Sequence, residues 1–138
     1  MSKYKKAFTM IEIVFVIVII ALLASVGIRK FILSKDEAKA TTIAKDVITI
    51  RDAIMTYYYT HDNSLDKIST IVQYNKNNWN DTNPNKLLFQ TNNQDCLSIE
   101  IVKTNENENL EINIDENLGG ICQKIKDIGV ADFKYELR

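Results

Sequence analysis

One carboxylate stands near the start of an otherwise uncharged apolar run that fills residues 8–28, and this run limits what the chain can fold into. Wound as a helix at 1.5 Å per residue, it reaches about 30 Å, roughly the thickness of a bilayer's hydrocarbon core. The carboxylate is Glu12, and Ile13, Val14, Phe15, Val16, Ile17, Val18, Ile19 and Ile20 follow it without a break. An unpaired acidic side chain in such surroundings costs a few kcal/mol, which makes Glu12 a candidate functional residue in need of a partner. The next basic residue along the run is Arg29, beyond its far end.

The segment ahead of the run offers a partner. Residues 1–7 carry Lys3, Lys5 and Lys6, contain no acid, and end in the small residue Ala7 directly before Phe8. A peptidase cutting between Ala7 and Phe8 creates a new α-amino group four residues from Glu12. That amine can neutralise the carboxylate of a neighbouring copy packed beside it.

Ala7, Phe8, Thr9, Met10, Ile11, Glu12 and Ile13 together resemble the start of the type IV pilins and the pseudopilins of type II secretion systems. That family opens with a short basic leader ending in Gly or Ala, then Phe-Thr-Leu-Ile-Glu-Leu and an apolar helix. Met10 and Ile13 are mild variants, and Arg29 stands where many members have a proline. The resemblance implies that a prepilin peptidase removes residues 1–7 and methylates Phe8. It also implies that Glu12 pairs with the amine of an adjacent pilin or pseudopilin subunit during filament assembly. An ordinary secretory signal peptide also has a basic start and an apolar core, and Ser25, Val26 and Gly27 offer a small-x-small cleavage site. A carboxylate inside the core, and a core this long, argue against that reading and against a plain signal anchor. Lysines and an arginine flank both ends of the run, so charge alone does not orient it.

Length and charge narrow the rest. A chain of 138 residues holds one small domain besides the apolar segment. The formal net charge is −1, and −4 once the three leader lysines are removed, which gives no overall basic footprint for nucleic acid. The resemblance places everything after the apolar run outside the inner membrane, where thiols are oxidised. Cys96 and Cys122 both lie there, so a disulfide between them is expected, with two buried free thiols as the alternative.

Patterning predicts an α+β fold. Nothing breaks a helix from near Phe8 to about Thr60, and Ile43, Val47, Ile50, Ile54 and Tyr57 recur on one face. Lys39, Lys45, Asp46, Arg51 and Asp52 fall off that stripe and are expected in solvent. Of Tyr57, Tyr58 and Tyr59, one or two belong to the core. Residues 65–93, rich in asparagine, read as a connecting loop with a short helix at 65–74 and a fourth strand at Leu87, Leu88 and Phe89. Alternation marks strands at 97–101, 110–115 and 133–137, the first two forming a hairpin. Leu118, Ile121, Cys122, Ile125 and Ile128 have helical spacing, with Gly129 as a stop, and predict a short amphipathic helix over the sheet. A Cys96–Cys122 bridge would tie that helix to the sheet. The resemblance implies the same layout: a long N-terminal helix packed on a small antiparallel sheet.

The sequence holds no glycine-rich phosphate loop, no paired histidine ligands and no nucleophile with an evident base, so neither catalysis nor a cofactor or metal is expected. The acidic stretch 105–109 reads as a solvated turn, since it lacks the aspartate spacing and turn glycine of a calcium loop. Asn80, Asp81 and Thr82 have the glycosylation pattern, read as a chance match in so asparagine-rich a chain; His61 reads as a surface residue.

The expected organisation is a leader at 1–7, a transmembrane and assembly helix at 8–28, and a periplasmic domain at 29–138 that includes the second half of the long helix. The expected function is a structural subunit in the bacterial inner membrane, crossing it once and assembled into a pseudopilus or a pilus-like filament. Its partners would be prepilin peptidase, other pilin subunits, an inner-membrane assembly platform and membrane lipid, with no nucleic acid. A membrane-anchored binding module that never polymerises and a minor pilin serving DNA uptake are the alternatives. Lys124, Lys126 and Lys134 are the basic residues a DNA-uptake role would have to cluster.

Overall fold

The computed structural model describes residues 9–138, with side chains throughout except at residues 26–33 and at Glu116. A helix α1 (Met10–Thr60) is followed by strands β1 (Trp79–Asn83), β2 (Lys86–Thr91), β3 (Gln94–Lys103) and β4 (Glu108–Ile114), a short helix α2 (Gly120–Asp127) and β5 (Phe133–Glu136). The five strands form one antiparallel sheet in the order β1-β2-β3-β4-β5. This is the α+β class that the patterning predicts. The chain divides into two compact units between Lys35 and Asp36. Ser34, Lys35, Asp36 and Glu37, which resemble a helix cap in sequence, lie inside α1.

In the second unit, the stripe on α1 is buried as its spacing requires. Ala40, Ile43, Ala44, Val47, Ile50 and Ile54 are at most 5% exposed and belong to one core with the sheet. Alternation supplies the facing surface: Leu97, Ile99 and Ile101 of β3 pair with Ile114, Ile112 and Leu110 of β4, and all six are buried. Phe89 and Leu87 of β2 extend two of these rows beside Leu97 and Ile99. Each fully buried side chain of this size contributes roughly 1.5–3 kcal/mol, so the stripe and the rows together drive the packing of helix on sheet. On the opposite face Lys86 meets Glu100 at 3.0 Å and Lys134 meets Glu111 at 2.8 Å.

Residues 65–93 are more ordered than a connecting loop. The structure places a 3₁₀ turn at Ile68–Thr70, where a short helix at 65–74 was expected, and then the hairpin β1–β2. Pro84 and Asn85 form the turn between Asn83 and Lys86, and Asn83 accepts a hydrogen bond from the Asn85 amide at 3.0 Å. Asn92 and Asn93, with φ of 51° and 61°, form the two-residue turn into β3. β1 has no apolar alternation because only Trp79 reaches the core; its remaining four residues are exposed or half-buried on a sheet edge. A strand of this kind has no binary pattern to read.

Trp79 also revises the expectation for Asp46. Rather than standing free in solvent, the half-buried Asp46 accepts a 3.0 Å hydrogen bond from the Trp79 indole and ties α1 to the first strand. The acidic stretch before β4 likewise contributes more than a turn. Glu108 opens β4 with a largely buried carboxylate that accepts hydrogen bonds from Tyr58 at 2.5 Å and from Ser64. Arg138 donates to Ser64 at 3.0 Å and to the Asp62 carbonyl. One carboxylate thus gathers the end of α1, the following loop and the C-terminal arginine. Burial opposes ionisation of Glu108, but the Ser64 and Tyr58 hydrogen bonds and the charges of Lys103 and Arg138 hold its carboxyl below the usual glutamate value. Burial and the same bond to Glu108 push the Tyr58 phenol up to about 12.

Cys96 and Cys122 form a disulfide, with their Cα atoms 5.7 Å apart. The pairing register of β2 and β3 shifts between Phe89 and Gln90, leaving Cys96 without an opposite residue. This bulge turns Cys96 inward beside Leu97, whereas a regular strand would send the two to opposite faces. The bond joins β3 to α2. At the end of α2 the Gly129 amide donates to the Lys126 carbonyl at 2.8 Å and the Val130 amide to the Ile125 carbonyl at 3.3 Å, the Schellman arrangement. Gly129 adopts the φ of 113° that this reversal needs. The turn carries Val130 into the core beside Ile125 and leaves Ile128, expected on the buried face, half exposed. β5 forms where the alternation marks a strand, and at the sheet edge it keeps Phe133 and Tyr135 partly in solvent.

Replacing both Cys96 and Cys122 by Ala should destabilise the sheet-bearing unit by about 2–4 kcal/mol, read as a lower urea midpoint. Glu108→Gln gives a pH signature. Because the folded-state pKa of Glu108 lies below its unfolded value near 4.5, its stabilisation is complete above that value and lost as pH falls through the folded pKa. The stability gap between the native chain and Glu108→Gln should therefore be full at about pH 6 and shrink progressively as the pH falls below the unfolded value of 4.5. A gap unchanged between these conditions would remove the carboxylate from this role.

Candidate assembly site

α1 begins at Met10, two residues into the apolar run. The Thr9 carbonyl accepts from the Glu12 amide at 3.0 Å and from the Ile13 amide at 3.3 Å, closing the first turn. Glu12 lies in that turn, where the positive end of the helix dipole favours a carboxylate. Its neighbours on the helix surface, Ile13, Val16 and Ile17, share an open apolar concavity with it. Every described side chain from Met10 to Ser25 is exposed, among them Phe15 and Leu22 at 65% and Leu23 at 69%. Ser25, the polar hydroxyl in this stretch, satisfies itself by donating to the Leu22 carbonyl at 2.8 Å. A helix that is apolar all round, with its hydroxyl internally bonded, is suited to apolar surroundings or to packing against other helices.

Of the residues singled out in the sequence, Glu12 is therefore placed in the first turn of a helix, within an apolar surface. Ala7 and Phe8 lie outside the described residues. Among the described residues no helix is long and apolar enough to cross a membrane. Phe8, and the side chains of Val26, Gly27 and Ile28 that complete the apolar run in sequence, fall outside that description.

The second unit has an open groove of about 280 Å³ between α1 and the α2–β5 connection, lined by Val47, Ile48, Ile128, Val130 and Phe133 among others. Arg51 and Asp132 stand at its sides, but each has a partner: Arg51 binds Asp52 at 2.9 Å, and Asp132 accepts from the Ile114 amide at 2.8 Å. The groove thus gathers apolar side chains rather than reactive ones. Tyr74 and Asp81 form a second polar pair at 2.8 Å; burial and that bond push the Tyr74 phenol up to about 12. His61 is exposed, as expected, and stacks on Tyr57 with ring centres 4.5 Å apart. Among the described residues no group of three or more His, Cys, Asp or Glu is placed to hold a metal ion. Asp46 and Glu108 escaped the sequence reading because a carboxylate that bonds a distant Trp or Tyr looks the same in sequence as a solvated one.

Comparison with known protein families agrees with the N-terminal reading. Residues 2–28 match the family model of the prokaryotic N-terminal methylation motif, so the chain carries the hallmark of type IV pilins and pseudopilins. No match was found among curated proteins or solved structures.

Proposed function

We propose that this chain is a structural, pilin-like subunit held in the inner membrane by its N-terminal helix and built into a thin filament of the type II secretion or type IV pilus kind. The observation that carries this reading is the methylation motif at residues 2–28, with Glu12 in the first turn of an all-apolar helix surface. Prepilin peptidase cuts between Ala7 and Phe8 and methylates the Phe8 amine. That amine then stands four residues before Glu12, at the same end of the helix. In a bundle of parallel helices, the Glu12 carboxylate of one copy meets the amine of the next, and the pairing offsets the cost of a charge away from water. The exposed apolar surface of residues 10–25 is covered first by lipid and then by neighbouring helices, while the unit with the sheet faces outward in the periplasm. An assembly platform in the inner membrane draws the subunit out of the lipid.

Two measurements check separate steps. Intact-mass analysis of the protein recovered from membranes should give a chain beginning at methylated Phe8; a start at Met1 or after Gly27 would overturn the processing step. Glu12→Ala should be cleaved normally but should enter sheared filaments at one tenth of the native level or less. Normal incorporation of that variant would rule out the charge pairing while leaving the processing intact.

A further inference from the structure

Among the described residues of the sheet-bearing unit, the large apolar side chains left exposed are Ile48, Tyr59, Ile128, Phe133 and Tyr135. They are not scattered. Ile48, Ile128 and Phe133 line the groove beside α1, and the Phe133 and Tyr135 rings lie parallel with centres 6.1 Å apart. The Tyr135 hydroxyl meets that of Tyr59 at 2.9 Å. An apolar strip therefore follows the seam between α1 and β5, and contiguous strips of this kind mark interaction surfaces.

The strip ends at an open strand. β5 is the last strand of the sheet, so among the described residues one edge of it has no neighbour. The Leu137 amide donates inward to the Glu108 carbonyl at 2.7 Å, and Tyr135 is paired with Leu110. Strand alternation then turns the amides and carbonyls of Lys134 and Glu136 outward. Lys134 and Glu136 also carry opposite charges two positions apart, and that spacing makes the edge complementary to itself. If two copies of β5 run antiparallel with Tyr135 opposite Tyr135, each Lys134 faces Glu136 of the other copy. The outward backbone groups of these two residues are then the ones that exchange hydrogen bonds across the edge. Lys134 already holds Glu111 at 2.8 Å, so each charge row alternates in sign across the junction.

We infer that β5 is a homotypic docking edge, through which two copies of this chain join their sheets about a two-fold axis centred on Tyr135. A two-fold contact closes on itself, whereas a growing filament needs a contact that repeats. The pair therefore belongs to unassembled chains and stands independently of the filament proposal.

Crosslinking of the full chain in detergent micelles tests this. Tyr135→Cys places two thiols in directly opposed positions at a non-hydrogen-bonded pair, about 4.5 Å apart at Cα. Mild oxidation should convert most of it to a disulfide-linked dimer. Phe133→Cys, whose two copies would lie about four residues out of register, should stay monomeric. A monomeric Tyr135→Cys, or equal crosslinking at both positions, overturns the inference. Adding Lys134→Glu or Glu136→Lys to Tyr135→Cys should each lower the dimer yield tenfold or more. Mixing these two variants should restore it as heterodimer, since the acidic edge of one then faces the basic edge of the other. A mixture that crosslinks no better than its components overturns the charge register.

Discussion

The apolar stripe on the second half of α1 cannot be satisfied by the helix itself, and the rest of the sheet-bearing unit is arranged around that constraint. Six small and branched side chains from Ala40 to Ile54 need an apolar surface of matching width. Alternating residues of β2, β3 and β4 provide it because their register aligns buried side chains into rows across the sheet. α2 closes the same core from the chain's later part, with Cys122 and Ile125 buried. Alternation, helix spacing and the glycine reversal at Gly129 all act to bring apolar atoms to one place, and this agreement between levels gives the sequence one preferred fold.

Around that core, a few polar bonds between elements far apart in the sequence fix how they meet. Asp46 and Trp79 lie 33 residues apart, and Tyr58 and Glu108 are separated by 50. The disulfide acts in the same way, closing a separation of 26 residues between β3 and α2. Apolar burial is tolerant of direction, whereas a hydrogen bond from an indole or a phenol to a carboxylate is satisfied in one geometry only. These contacts therefore select one arrangement among those the core alone would accept.

The first part of α1 is built to the opposite rule. It has no internal core to complete, and its side chains from Met10 to Ser25 are exposed in a single copy. A surface like this has its natural complement in something outside the chain, whether lipid or parallel helices. Glu12 fits that logic, because a carboxylate at the start of such a helix is costly alone and favourable beside an amine. One chain thus holds a unit that satisfies itself and a helix whose described apolar side chains from Met10 to Ser25 stay exposed.

The helix of some fifty residues, the hairpin of β3 and β4, the α2 segment and the N-terminal methylation motif at residues 2–28 were all legible in the sequence. Local periodicity or a short motif specifies each of them without reference to distant residues. Tertiary structure alone decided the strand at Trp79, which has one anchoring side chain and no alternation to announce it. It also decided the bulge that turns Cys96 inward, the burial of Val130 in place of Ile128, and the bonding of Asp46 and Glu108. For the strand, the bulge and the two carboxylates the outcome depends on a partner tens of residues away or on a change of register, and neither leaves a mark in the local pattern. For Val130 it follows from how the reversal at Gly129 turns the chain. The sequence states which atoms must leave water; only the folded chain determines which neighbours they find.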